Sequence, residues 1–389
     1  MEAGPPMTPT TFSIAVPDKI LADLRSRLRR TRFTARSGDL AWQAGADPAY
    51  LRHLVAYWIR DFNWRDREEQ LNRLPHFRAD VGGVGIHFVR IPAVKTPEGS
   101  AALPVILSHG WPSSFVEMLP LAERLTDPAR FGGDPADAFD VVVPSLPGFL
   151  FSDLPVEPLT RAAMAKTLHS LMIDVLGYQR YGAFGGDIGG GVTAWMAALY
   201  PEDVVGIHMI HPPYPTDVDT PQLSPAEKAF LDAEAAYDET DGGYSAIMAT
   251  RPDTIAASLI DSPAGLAAWI VDKYRDWSDC HGDIESRFDR DTLLTIITLY
   301  WVTGSIGSSF RSYYDYGHNQ RRPSISVPAA FTLSTEPSMA GFPRSLTERV
   351  CSNIQHWSEP GRGGHFMPLE EPDLLATELR EFFRPLRRR

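Results

Sequence analysis

Only two cysteines, Cys280 and Cys351, occur among the 389 residues. They are too few for a disulfide framework and neither has metal-ligand company, so the chain reads as a protein of the reducing cytoplasm. Basic residues are also short, 37 against 49 acidic ones, for a net charge of −12. No basic face would draw in phosphates, which excludes nucleic acid and anionic membrane surfaces as partners. The cluster Arg384, Arg387, Arg388 and Arg389 reads as a solvated tail. No uninterrupted apolar run approaches the ~20 residues that span a bilayer, and the first eleven residues lack a leader's apolar stretch. The chain is therefore expected to be soluble, with residues 1–11 disordered. Repeats and low-complexity tracts are absent. The length allows two or three domains, or one long α/β domain with an insertion.

What is present is an ordered change of periodicity. From Pro17 to about Leu74 apolar residues recur at helical spacing: Ile20, Leu21, Leu24 and Leu28, then Leu51, Leu54, Val55, Trp58, Ile59 and Phe62. Asp47-Pro48 supplies a cap and a first-turn residue for the second run. Short β-like segments follow at Phe77–Val81 and Ile86–Val89 around Gly82-Gly83. Strands at Val105–Leu107, Val141–Val143, Tyr181–Phe184 and Val204–Ile210 then alternate with helical stretches, which predicts a mainly parallel sheet covered on both faces. At His211-Pro212-Pro213 the rhythm breaks, and residues 214–325 read as helical. Strands resume at Ala329–Leu333 and Asn353–Trp357 before a final amphipathic helix around Leu374–Phe383. The expected organisation is a helical meander (1–75), an α/β core (76–213 and 326–389) and an inserted helical lid (214–325).

The most informative stretch is Gly185-Gly186-Asp187-Ile188-Gly189-Gly190-Gly191, placed between an apolar strand and a helical pattern. Small residues around one reactive side chain at a strand-to-helix turn are the layout of a nucleophile elbow, with Asp187 where a serine is usual. An aspartate, with a pKa of about 4, needs no base to become a nucleophile. It forms alkyl esters, which suits epoxides or alkyl halides rather than amides. Gly189–Ala194 also matches G-x-G-x-x-A, but a dinucleotide site needs an acid ending the next strand, and Glu202 and Asp203 precede it.

His109-Gly110-Trp111-Pro112 follows the strand Val105–Leu107, where a tight turn can aim backbone N–H groups at an oxyanion. The expected donors are the N–H groups of Trp111 and Ile188, with His109 structural. His365, in a glycine-rich loop after the last strand, is the expected general base. Its acid should follow Ala329–Leu333, where Glu336 stands; Glu348 and Glu359 lie beyond that loop. Opening an epoxide also needs a proton donor, and a neutral phenol can serve. Spacing alone does not choose among the seven tyrosines from Tyr237 to Tyr316.

Taken together these residues resemble the epoxide hydrolases of the α/β-hydrolase superfamily, in the microsomal-type branch with its soluble bacterial relatives. The resemblance runs from about Phe12 to Phe383. Its motifs are Trp64-Arg65-x-x-Glu68-x-x-Leu71-Asn72-x-x-Pro75-x-Phe77, His109-Gly110-Trp111-Pro112, Gly185-Gly186-Asp187-Ile188-Gly189, Arg362-Gly363-Gly364-His365-Phe366 and Glu370-Glu371-Pro372. It implies the α/β-hydrolase fold: a mostly parallel eight-stranded sheet, a lid inserted after the sixth strand and an N-terminal helical meander. It also implies that Tyr244, in Gly242-Gly243-Tyr244-Ser245 ahead of Asp261–Ala267, and Tyr313, in Ser308-Ser309-Phe310-Arg311-Ser312-Tyr313, are the donors. Three departures stand out. The apolar anchor of mammalian members has no counterpart, the acid loop Leu333–Pro337 is unusual, and Leu150 replaces a glycine in Phe149-Leu150-Phe151-Ser152.

The resemblance implies a cofactor-free, metal-free epoxide hydrolase forming an Asp187 alkyl ester and a vicinal diol. The aromatic-rich lid suggests a bulky apolar or aryl epoxide, met in biosynthesis or detoxification. A haloalkane dehalogenase would need a halide donor, commonly Trp after the nucleophile, which Ile188 cannot supply. A silent binding protein need retain none of these groups. The oligomeric state stays open, a homodimer included.

Overall fold

Apolar segments separated by helices pair into one sheet in the computed structural model, which describes residues 8–35, 40–94, 101–215 and 222–387. The strands are β1 (Thr10–Thr11), β2 (His76–Val81), β3 (Val84–Ile91), β4 (Leu103–Ser108), β5 (Phe139–Pro144), β6 (Tyr181–Gly185), β7 (Val204–Met209), β8 (Ala329–Thr332) and β9 (Ile354–Ser358). Their order is β1-β2-β3-β5-β4-β6-β7-β8-β9. Pairing is antiparallel from β1 to β5 and parallel from there to β9. Helices cover both faces, so the central strands bury continuous apolar runs rather than alternating ones. Val105–Leu107, Val141–Val143, Ala183, Phe184 and Ile207 have no exposed surface.

Eight of these strands match the expected sheet, and the inserted helices come after the sixth of them, β7. The ninth, β1, corrects the expectation of disorder through residue 11; residues 1–7 lie outside the described residues. Glu68 Oε1 accepts from the Val16 N–H at 2.7 Å and from Trp64 Nε1 at 3.2 Å. Asn72 exchanges two hydrogen bonds with the Ile14 backbone, both 2.8 Å. The Trp64–Asn72 motif thus pins residues 14–16, and the chain before them is led along the sheet edge. In the helix Pro48–Arg60, Asp47 caps by accepting from the Ala49 N–H, with Pro48 in the first turn.

The basic C-terminus is not a solvated tail where it is described. Arg384 pairs with the buried carboxylate of Asp137. Arg387 donates to the Ala138 carbonyl at 2.8 Å and lies 4.1 Å over the Phe139 ring. Arg388 and Arg389 lie outside the described residues. Among the described residues no single helix is long and apolar enough to cross a membrane.

Candidate active site

Five neighbouring parallel strands, β4, β6, β7, β8 and β9, send loops from their carboxyl ends toward one point, the usual ligand side of such sheets. Those loops carry Trp111, Asp187, His211, Glu336 and His365 in turn. Asp187 opens the helix Asp187–Leu199 directly after β6 with φ of 51°, a left-handed conformation costly for a residue with a Cβ. The turn closes because its neighbours lack side chains. A Cβ on Gly189 would lie 2.0 Å from the Ser108 carbonyl oxygen, and one on Gly110 would lie 2.6 Å from Asp187 Cβ.

The Trp111 N–H, next to a cis Trp111-Pro112 bond, donates to Asp187 Oδ1 at 2.9 Å. The Ile188 N–H belongs to the first turn of its helix and has no carbonyl a turn earlier to receive it. His109 is held within the core. It is fully buried, its Nδ1 faces the Gly110 carbonyl, its Nε2 accepts from the Leu146 N–H, and burial lowers its pKa to about 4.

Opposite the elbow, His365 Nδ1 is hydrogen-bonded to Glu336 Oε2, and both side chains are buried. Burial alone would push His365 down, but the charge and hydrogen bond of Glu336, with Asp187 and Glu117 beyond, lift its pKa to about 9. Burial would raise Glu336, yet the two histidines beside it hold its carboxyl well below the usual range. The other two acids are engaged elsewhere: Glu348 pairs with Arg344, and Glu359 accepts from Trp357 Nε1.

Two supports of this pair were missed from sequence. The first is His211. Its Nδ1 accepts the Asp187 N–H at 2.6 Å, and its Nε2 lies 3.4 Å from Glu336 Oε2. One imidazole thus ties strained Asp187 to Glu336. The available signal was a histidine ending the strand next to the elbow strand. The second is Glu370, whose carboxylate accepts from the N–H groups of Gly364, Phe366 and Asp279 and so holds the His365 loop. The His365 N–H itself donates to the Trp277 carbonyl at 2.9 Å, joining its loop to an inserted helix.

The fold also separates the tyrosines. Tyr274 and Tyr300 donate to Ser113, Tyr237 donates to Asp241, and Tyr314 and Tyr316 are exposed. Tyr244 and Tyr313 remain. Tyr244 stacks on Trp111 at 5.4 Å, Tyr313 meets the same indole edge-on at 5.9 Å, and the two phenols lie with ring centroids 6.1 Å apart. Burial first, and then nearby charge including that of Asp187, raises both pKa values, so each keeps its proton at neutral pH. Leu150, at the position of the family's glycine, takes a φ of 44° and is buried.

A cavity of about 1350 Å³ opens beside the elbow, with Asp187, His211, Glu336 and His365 in its wall. Among the described residues His211, Glu336 and His365 bring three metal-ligating side chains within 4.8 Å of one another. The Glu336 oxygen is already joined to His365 Nδ1, which suits an oriented base rather than lone pairs converging on an ion.

Residues 9–118 match the family model of the epoxide hydrolase N terminus, and residues 104–258 that of the alpha/beta hydrolase fold. An epoxide hydrolase candidate of Stigmatella aurantiaca is 41% identical, over 97% of this chain and 85% of its own length. Epoxide hydrolase 1 of Sus scrofa is 32% identical, over 95% and 87%. Among solved structures, the juvenile hormone epoxide hydrolase of Bombyx mori superposes with a TM-score of 0.85 at 28% identity, covering 98% of this chain and 95% of that one.

Proposed function

The chain belongs to the epoxide hydrolases built on the α/β-hydrolase fold, and from that membership we propose that it opens its epoxide through an ester on Asp187. The observation that carries the proposal is the Trp111 N–H on Asp187 Oδ1. That oxygen is held where an oxyanion would form, which leaves Oδ2 to attack an epoxide carbon.

As the carbon–oxygen bond breaks, charge appears on the epoxide oxygen, and Tyr244 and Tyr313 donate to it and supply its proton. In the second half, His365 takes a proton from water, oriented by Glu336 through Nδ1. The hydroxide attacks Cγ of Asp187, and the N–H groups of Trp111 and Ile188 hold the tetrahedral oxyanion, each such donor typically worth about 3 kcal/mol. Collapse releases a vicinal diol, its oxygen protonated from the His365 imidazolium, and the proton left on the Asp187 carboxyl returns the phenolate to its neutral form. The helices between β7 and β8 act as the lid that brings the phenols over the elbow. The aromatic groups around Trp111 favour a bulky epoxide with an apolar or aryl body. No step needs a cofactor.

Single turnover in heavy-oxygen water tests the sequence of events. The label is expected in Asp187 after one turnover, because the oxygen added to the diol comes from the carboxylate. Label appearing directly in the first-turnover diol would mean that water, not Asp187, attacks the ring. Asp187→Ala should remain folded and form no ester at all.

A further inference from the structure

The reaction proposed above leaves the arginines of the cavity wall unused, Arg161, Arg321, Arg322 and Arg349. Arg161 lines the same cavity as Asp187. It is the first residue of the helix Arg161–Ser170, the end of a helix where a cation is disfavoured by the backbone dipoles. Its side chain crosses the nucleophile's helix at Gly191, where an added Cβ would lie 3.1 Å from Arg161 Cδ and 3.2 Å from Nε. The guanidinium then reaches the Ser312 carbonyl at 3.5 Å and lies 5.8 Å over the Tyr316 ring.

Among the described residues no carboxylate stands within ion-pair distance of Arg161. Asp187 acts on it from further away, and burial is the larger influence, lowering its pKa. Arg349, on the same wall, differs: it is paired with Glu227. A half-buried cation without a counter-charge in contact carries a desolvation cost, and that cost is offset when a ligand brings the charge.

We propose that Arg161 is the recognition group for a carboxylate on the substrate, so that the preferred epoxides are amphiphilic acids with an apolar body and one anionic end. A guanidinium offers two parallel N–H donors to a planar carboxylate. Anchoring that end fixes the epoxide relative to Asp187.

This inference rests on the epoxide hydrolase reading of the site, and its test separates the two. The probes are 4-(oxiran-2-yl)benzoate and its methyl ester, followed by kcat/KM, with binding of the two corresponding diols measured by calorimetry. The wild-type enzyme is expected to prefer the carboxylate. In Arg161→Gln that preference should fall about 10- to 100-fold, the range for a charge-assisted hydrogen bond, chiefly through KM. Arg161→Lys should retain part of it, which also controls for folding. The diols should show the same order in binding. An equal loss on both substrates would assign Arg161 to support of Asp187 or Tyr313 and overturn the proposal, as would a wild-type enzyme that prefers the ester. If neither epoxide turned over while the carboxylate diol still bound through Arg161, the epoxide reaction would be overturned and the anion site would stand.

Discussion

His365 is held by three carboxylates that pull its titration in one direction, Glu336 by direct contact, Asp187 and Glu117 by charge. Only two of them survive the first half of the proposed reaction, because esterification removes the charge of Asp187. The value of about 9 in the resting site should therefore drop in the ester. Decay of a preformed ester is expected to rise with pH through a midpoint below 9, measurable by quenched flow; a midpoint at or above 9 would show that Asp187 does not couple to the base. The same raised value gives a stability term that is complete below the ordinary histidine pKa of about 6.5 and is lost as pH rises through 9. The gap in melting temperature between wild type and His365→Gln should narrow from pH 6 to pH 10. Kinetically, His365→Gln should accumulate an adduct of epoxide mass, with hydrolysis slowed about 100- to 10,000-fold. At this scale the sequence revealed residues that bear chemistry in a local motif, such as Asp187 and His365. It hid His211 and Arg161, whose roles come from what stands opposite them: an amide 24 positions away for His211, and a shared cavity for Arg161.

Two adjacent glycines of the elbow are under opposite constraints. At Gly189 an added Cβ meets backbone, the Ser108 carbonyl oxygen at 2.0 Å, which cannot yield without moving β4. At Gly190 it meets the Met209 methyl at 3.3 Å, the end of a flexible chain. Gly189→Ala should abolish turnover and cost at least about 1–3 kcal/mol by overpacking. Gly190→Ala should leave stability level or raise it by up to about 1 kcal/mol through helix propensity. Urea melts with activity assays check both, and equal outcomes would mean the turn is looser than its geometry requires. Strands with long apolar runs were legible for the same reason that the elbow was, since burial on two faces leaves a continuous pattern. β1 was not, because two threonines have no periodicity to read; their place comes from Glu68 and Asn72, more than fifty positions downstream.

Across the whole molecule the five site loops come from strands that adjoin in space and are spread along the chain from β4 to β9. The resemblance of the chain to its family made their order readable, while the docking of Arg384 and Arg387 on Asp137 and Ala138 was not, since a run of arginines at a chain end looks solvated from composition alone. Because the sheet must be complete before the loops meet, refolding should recover far-UV circular dichroism ahead of activity, with the lag set by the late strands β8 and β9. Simultaneous recovery of the two signals would place the assembly of the site no later than the sheet itself.

The placement of β9 at the sheet edge has a further consequence during synthesis. A ribosome adding about 5–20 residues per second finishes the nucleophile's elbow well before it makes the loop bearing the base. For that interval the growing chain carries the proposed nucleophile without the strands β8 and β9 that complete the sheet around it. Built in this order, the chain keeps Asp187 and His365 apart until its last strands pair, so the means of forming the proposed ester and of releasing it arrive together.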